Sequence, residues 1–204
     1  MKRRQAIRWI VVLIVALVVG SQPAGATVIN FDGLSDLDSV TTQLPGLTFT
    51  NTTVLKAGFS LNEFDFPPHS GTNVVVDDGG PISVVFDTLQ VSVGGFFTYA
   101  TGLTFTAFDA SNGVVGMDTS DFTTNTGTGG DPGSSPNELL TVAFTGGIKN
   151  VTIEGDPAGG SFTLDNLTFT NASAPAPATG FLLGLGLAAL VVSQHVRRRR
   201  NHFP

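Results

Sequence analysis

From Thr27 to Thr170 apolar and polar residues alternate with a period of two, in short runs cut by Gly, Pro, Asn and Asp. Successive side chains of an extended strand point to opposite faces, whereas a helix face repeats about every 3.6 residues. The pattern therefore commits this region to half-buried strands. Those expected are Val28–Phe31, Gly46–Thr50, Asn73–Val76, Ile82–Phe86, Gln90–Tyr99, Leu103–Asp109, Val114–Asp118, Leu139–Thr145, Asn150–Glu154 and Ser161–Thr170. In Leu139–Thr145, for instance, Leu140, Val142 and Phe144 face a core while Thr141 and Thr145 face water. The many Phe and Thr residues suit such pleated, half-buried surfaces. Two packed antiparallel sheets bury one face of this many strands, so the expected fold is an all-β antiparallel sandwich.

Two irregularities interrupt the pattern. Gly94-Gly95 falls inside the longest expected strand and suggests a bulge or bend where the chain crosses between sheets. In the last strand Phe162 and Leu164 share one parity, and Leu167 and Phe169 share the other. The phase slips at Asp165-Asn166, as a β-bulge requires. Thr123 to Pro136 is low in complexity and reads either as a flexible connection or as a binding loop.

The two ends differ from the middle. Lys2, Arg3, Arg4 and Arg8 precede an apolar run, Trp9 to Val19, and then the small-x-small step Ala24-Gly25-Ala26. That is the layout of a secretory signal peptide, residues 1–26, cleaved before Thr27 by way of the secretion translocon. A β domain follows over 27–171, then a Pro/Ala linker over 172–179, an apolar segment over 180–196 and a basic tail over 197–204. Lipid offers the backbone no partners, so the apolar segment is expected to span the membrane as a helix. Arg197, Arg198, Arg199 and Arg200 would stop transfer and stay cytoplasmic, which places the β domain on the other face. From Phe181 to Val196 such a helix reaches roughly 24 Å, against a hydrocarbon core of about 30 Å. That is short for a permanent anchor and suited to a temporary one.

Between these ends only Lys56 and Lys149 oppose all 16 acids, a net charge of −14 with histidine neutral. Such a surface repels phosphate backbones, which excludes a nucleic-acid partner, and attracts hard divalent cations, Ca²⁺ above all. With no cysteine, the domain must be held by its core alone.

The tail, Pro175-Ala176-Pro177-Ala178-Thr179 followed by a short apolar segment and four arginines, resembles the PEP-CTERM sorting signal of Gram-negative bacteria, with alanine where that motif has its central glutamate. The resemblance implies processing by an exosortase-like membrane protease. The chain would lodge briefly in the inner membrane and end at the cell surface or outside the cell. The body resembles the domain common in PEP-CTERM proteins, through Ile29-Asn30-Phe31-Asp32-Gly33 at its start and Phe162-Thr163-Leu164-Asp165-Asn166-Leu167 at its end. These stretches are similar to those of carbohydrate-binding jelly rolls, whose first and last strands pair and whose carboxylates hold a structural calcium. That implies a jelly-roll-like sandwich with Asp32 and Asp165 as calcium ligands. The competing reading makes Asp32 a turn cap and Asp165 a solvated bulge residue. Asp36, Asp38, Asp77 and Asp78 read mainly as turn residues.

Catalytic chemistry finds few parts. His69 is the one histidine of the domain, and no Gly-x-Ser-x-Gly elbow presents a nucleophile. A glycosidase would have to draw on Glu63, Glu138 or Glu154 with an aspartate partner. Sugar platforms are usually Trp or Tyr, and the domain offers only Tyr99, the candidate ligand-binding residue. The expected role is structural or adhesive, without catalysis, at the surface or in an exopolysaccharide or biofilm matrix. The alternatives are a carbohydrate-binding module and, behind it, a glycan-active hydrolase.

Overall fold

The computed structural model describes residues 25–172. The signal segment up to Ala24, and everything from Ser173 through the sorting motif, the apolar segment and the arginines, lie outside the described residues. Among the described residues no helix is long and apolar enough to cross a membrane.

Among the described residues there are nine strands: β1 (Ala26–Ile29), β2 (Leu47–Thr50), β3 (Thr52–Lys56), β4 (Asn73–Asp77), β5 (Ile82–Tyr99), β6 (Thr104–Phe108), β7 (Val114–Thr119), β8 (Glu138–Glu154) and β9 (Phe162–Asn171). All their pairings are antiparallel. The two long strands, β5 and β8, serve two layers. The early half of β5 lies between β2 and the late half of β8, and β6 and β7 extend that layer. The late half of β5 lies between the early half of β8 and β9. Beyond β9 come β4 beside Thr163–Leu164 and β1 beside Leu167–Thr170, with β3 outside β4.

The layers meet through aromatic rings. Phe86 of the first touches Phe169 of the second with centroids 5.3 Å apart, and Phe105 meets Phe97 at 5.9 Å. All four are buried, together with Val84, Val93, Ile148, Val151 and Leu164. Leu140 and Val142 face this core, Phe144 packs against it, and Thr141 and Thr145 are exposed, as the alternation requires.

Several boundaries differ from expectation for local reasons. β1 begins at Ala26 and ends at Ile29, because Phe31 takes a φ of 59° and turns the chain. The expected pairs Ile82–Phe86 with Gln90–Tyr99, and Leu139–Thr145 with Asn150–Glu154, are single bent strands. Gly94-Gly95 does coincide with a register shift, where Gly94 faces Thr168 and Phe96 faces Asp165. The crossing between layers occurs elsewhere, at Phe86–Val91 of β5 and Phe144–Lys149 of β8, where Gly147 has a φ of 102°. β3 was not expected. Asn51, at a φ of 55°, carries the chain from one layer to the other in a single residue, with no cluster of turn residues between β2 and β3.

The Thr123–Pro136 connection is pinned. Asn125 is fully buried, accepting from the Tyr99 N–H at 2.7 Å and donating to the Phe97 carbonyl at 3.0 Å, so its side chain continues the ladder at the end of β5. Asp131 accepts from the N–H groups of Thr123 and Thr124. Asn125→Ala strips two buried main-chain groups of their partners and should cost about 2–4 kcal/mol, read as a lower urea midpoint with unchanged slope.

Candidate functional site

The slip in β9 is a true bulge. Asn166 has a φ of 52°, and the step from Gly94 to Phe96 is matched by the longer step from Thr168 to Asp165. The extra residue turns Asp165 inward until it is only 1% exposed. Its Oδ2 accepts from the Ser70 N–H at 2.7 Å and its Oδ1 from the Asn166 N–H at 2.6 Å. Ser70 Oγ donates to Asn166 Oδ1 at 2.7 Å. From the other end of the domain, Asp32 Oδ1 accepts from the N–H groups of Thr72 at 2.8 Å and Asn73 at 3.0 Å. Gly71, at a φ of 59°, lets the chain pass this carboxylate; a Cβ there would overlap it.

The structure thus brings Asp32 and Asp165 to one segment, the strap Pro67–Asn73 leading into β4. The rest of the strap is tied down as well. Asn137 Nδ2 donates to the Pro67 carbonyl at 3.1 Å, and the His69 ring stacks on Phe96 with centroids 3.5 Å apart and planes 6° apart. Asn73 is buried and donates to the carbonyls of Phe31 and Leu34, tying the strap to the loop that carries Asp32. Sequence reading missed Ser70, Thr72 and Asn73, because main-chain donors leave no mark in composition. Asp165 is no solvated bulge residue, and Asp32 is the exposed cap of a loop.

Burial pushes the Asp165 carboxyl above its ordinary value, the Ser70 and Asn166 N–H donors oppose this, and the charge of Asp32 adds to it. The charges of Asp32 and Asp165 therefore act on one another across the strap, while three of their four oxygens accept main-chain N–H groups. Among the described residues no group of three or more acidic, histidine or cysteine side chains converges on a metal position, so an ion here would draw its remaining ligands from carbonyls and water.

The other acids serve the fold. Asp77 is 1% exposed and caps the start of β9, accepting from Ser161 N–H at 2.9 Å, Phe162 N–H at 3.1 Å and Ser161 Oγ at 3.0 Å. Asp36 accepts from the Lys56 N–H and the Ser60 hydroxyl, Asp38 from the Ser35 N–H, and Asp78 from the Thr53 hydroxyl.

Tyr99 must be corrected. It is fully buried and gives its hydroxyl to the Glu138 carboxylate, so no face of its ring is offered to a ligand. Burial, reinforced by the Glu138 bond and charge, pushes its ionisation well above the ordinary value. Tyr99 shares the parity of the buried Val93 and Phe97, and its hydroxyl partner lies 39 residues away with no local signature. Glu138 also accepts from the Asp121 N–H at 2.9 Å, so both its oxygens are engaged. Glu154 stands exposed at the end of β8, and Glu63 is half-buried in the segment before the strap.

An antiparallel all-β domain with its first strand paired to its last is the class this geometry defines. No protein-family model matches the chain, and no curated protein sequence is similar to it. Among solved structures it is similar to the K2 cleaved adhesin domain of Lys-gingipain, at 14% identity over 72% of this chain and 99% of that one, with a TM-score of 0.47. The K1 cleaved adhesin domain of Lys-gingipain from Porphyromonas gingivalis W83 is similar at 11% identity, 71% and 97% coverage and a TM-score of 0.45. A family 29 carbohydrate binding module is similar at 12% identity, 73% and 90% coverage and a TM-score of 0.40.

Burial also raises the Asp77 carboxyl above the ordinary carboxylate value of about 3.8, against the pull of its three donors. The folded chain then holds a proton that the unfolded chain has released, so Asp77 withdraws stability as pH rises from 3.8 through the folded value. Asn at this position keeps an oxygen for both N–H groups and cannot ionise. Asp77→Asn should therefore remain folded and decline less than wild type between about pH 3.5 and about pH 7, as urea melts at the two values will read.

Proposed function

We propose that this is an exported protein of the cell surface or extracellular matrix, with a structural or adhesive role and no catalysis, built on a jelly-roll-like sandwich. The observation that carries the reading is the pairing of Thr27 with Phe169, which makes the chain left after cleavage enter and leave side by side at one edge. A domain held by a tether near that edge leaves its other loops free to meet a partner. The signal-like start and the Pro-Ala-Pro tail supply the route: the translocon, a transient stay in the inner membrane, and cutting near Pro177 by an exosortase-like protease. Mass spectrometry of the native protein tests this. A C-terminus near Pro177 is expected; an intact end carrying Arg197–Arg200 indicates a plain anchor, and a retained leader on a cytosolic protein overturns the reading.

A calcium ion at Asp32 and Asp165 belongs to the same proposal. It would relieve the repulsion between two carboxylates that share one strap. Chelation should lower the melting temperature of wild type, and Asp32→Ala should remove most of the chelator's effect. A melt that chelator leaves unchanged dismisses the ion. Exopolysaccharide is the partner class we favour, by a surface other than Tyr99.

A further inference from the structure

Fourteen phenylalanines lie among the described residues, and two of them stand in water: Phe59 at 75% and Phe64 at 78% exposed. Both belong to one stretch, Ala57–Phe66, between β3 and the strap. Their exposure is not slack. Phe59 and Leu61 both donate N–H bonds to the Lys56 carbonyl, at 3.1 Å each, and Leu61 is buried, anchoring the stretch. The N–H groups of Asp65 and Phe66 close a second turn on the Asn62 carbonyl. The Asp65 carbonyl then accepts from the Gly127 N–H at 2.8 Å, and its carboxylate takes the Thr128 hydroxyl, joining the stretch to the pinned Thr123–Pro136 connection. At Gly127 a Cβ would collide with the Phe64 carbonyl, so that close approach needs glycine.

The surroundings of the rings define what can lie on them. Asn62 Nδ2 donates to Asp65 Oδ2 at 2.7 Å, leaving an amide, a carboxylate and the Thr128 hydroxyl grouped beside Phe64. The Thr128 hydroxyl, ahead of the Asn62 amide, holds Asp65 below its ordinary value, so it is an ionised acceptor at neutral pH. Lys56 Nζ sits 5.3 Å from the Phe59 centroid, one cation in a domain of net charge −14. That charge repels anionic headgroups and polyanions. Two rings parted by a polar turn do not form the continuous apolar patch that a protein partner covers. Lys56 beside Phe59 disfavours a cation at the rings themselves, so the pair best fits an uncharged molecule with apolar C–H faces and hydroxyl edges.

We propose that Phe59 and Phe64 form a binding shelf for a neutral glycan chain, the rings stacking on sugar faces while Asn62 and Asp65 bond sugar hydroxyls. This rests on the adhesive reading above and names its contact surface. The shelf is pre-formed, so little ordering opposes binding.

Affinity electrophoresis of the full chain through gels containing glucomannan, laminarin or dextran tests the shelf. Retardation of wild type by at least one of the three is expected. Phe59→Ala with Phe64→Ala should weaken it about tenfold or more without lowering the melting temperature, since neither ring is in the core. Phe64→Trp, which enlarges the stacking face, should strengthen it, and this second variant decides the matter if the double variant melts early. Retardation that neither variant alters overturns the shelf while leaving the adhesive reading intact. Retardation of wild type by no gel overturns the shelf as well, while C-terminal processing still tests export separately. Phe-dependent binding to phosphatidylcholine vesicles in place of glycan would show a lipid contact and likewise overturn it.

Discussion

Two strands that belong to both layers hold this domain together. β5 and β8 pair along most of their length, but each leaves one sheet and enters the other at a bend, Phe86–Val91 and Phe144–Lys149. A bend of this kind leaves main-chain groups without ladder partners, and burying such groups unpaired is costly. Lys149 Nζ answers by donating to the carbonyls of Phe86 and Asp87, at 2.5 and 3.3 Å. Gln90, itself 1% exposed, donates to the Thr88 carbonyl at 2.7 Å. Beneath the bend Phe86 and Phe169 bring the two layers into contact. One of the domain's two lysines therefore has a structural task, and the other stands over Phe59.

Legibility in the sequence follows range. Alternation is local, so the strand-rich character, the inward face of Leu140 and Val142, and the slip at Asp165 could all be read along the chain. Gly94-Gly95 reads in the sequence as a bulge or a crossing between sheets, and Gly146-Gly147 gives no separate signal. Gly94-Gly95 marks the β5–β9 irregularity and Gly146-Gly147 the crossing, and only the partners of each strand separate the two cases. β3 escaped because a single left-handed Asn51 did the work of a turn. Asp32 and Asp165 were paired through a family resemblance; the strap between them consists of main-chain donors from Ser70, Thr72 and Asn73. Tyr99 shows the limit from the other side. An aromatic with a polar tip reads as a surface platform until a buried acceptor such as Glu138 is found for the hydroxyl. Conversely, Phe59 and Phe64 look like core residues by composition, and only the turns that fix their backbone keep them out of it.

The acidity acquires a different meaning once its hydrogen bonds are traced. Asp32, Asp36, Asp38, Asp77, Asp109, Asp118, Asp131, Glu138, Asp156 and Asp165 each accept at least one main-chain N–H, mostly in loops or at strand ends. Without disulfides, long connections need another means of being fixed. A carboxylate that takes an N–H forms a charge-assisted bond stronger than a neutral one. Asp118 goes further, taking the Thr141 N–H and so covering an edge of β8 that would otherwise be open to another chain. The negative charge that keeps anionic polymers and membranes away is thus largely a by-product of how the loops are tied. A domain tied in this way can present fixed loops carrying exposed rings without cysteine, and the same charge narrows its partners to uncharged molecules and cations. The proposed adhesion to a neutral matrix and the proposed capture of a divalent ion would draw on one economy of acceptors, the ion at the strap where the charge of Asp32 already acts on Asp165.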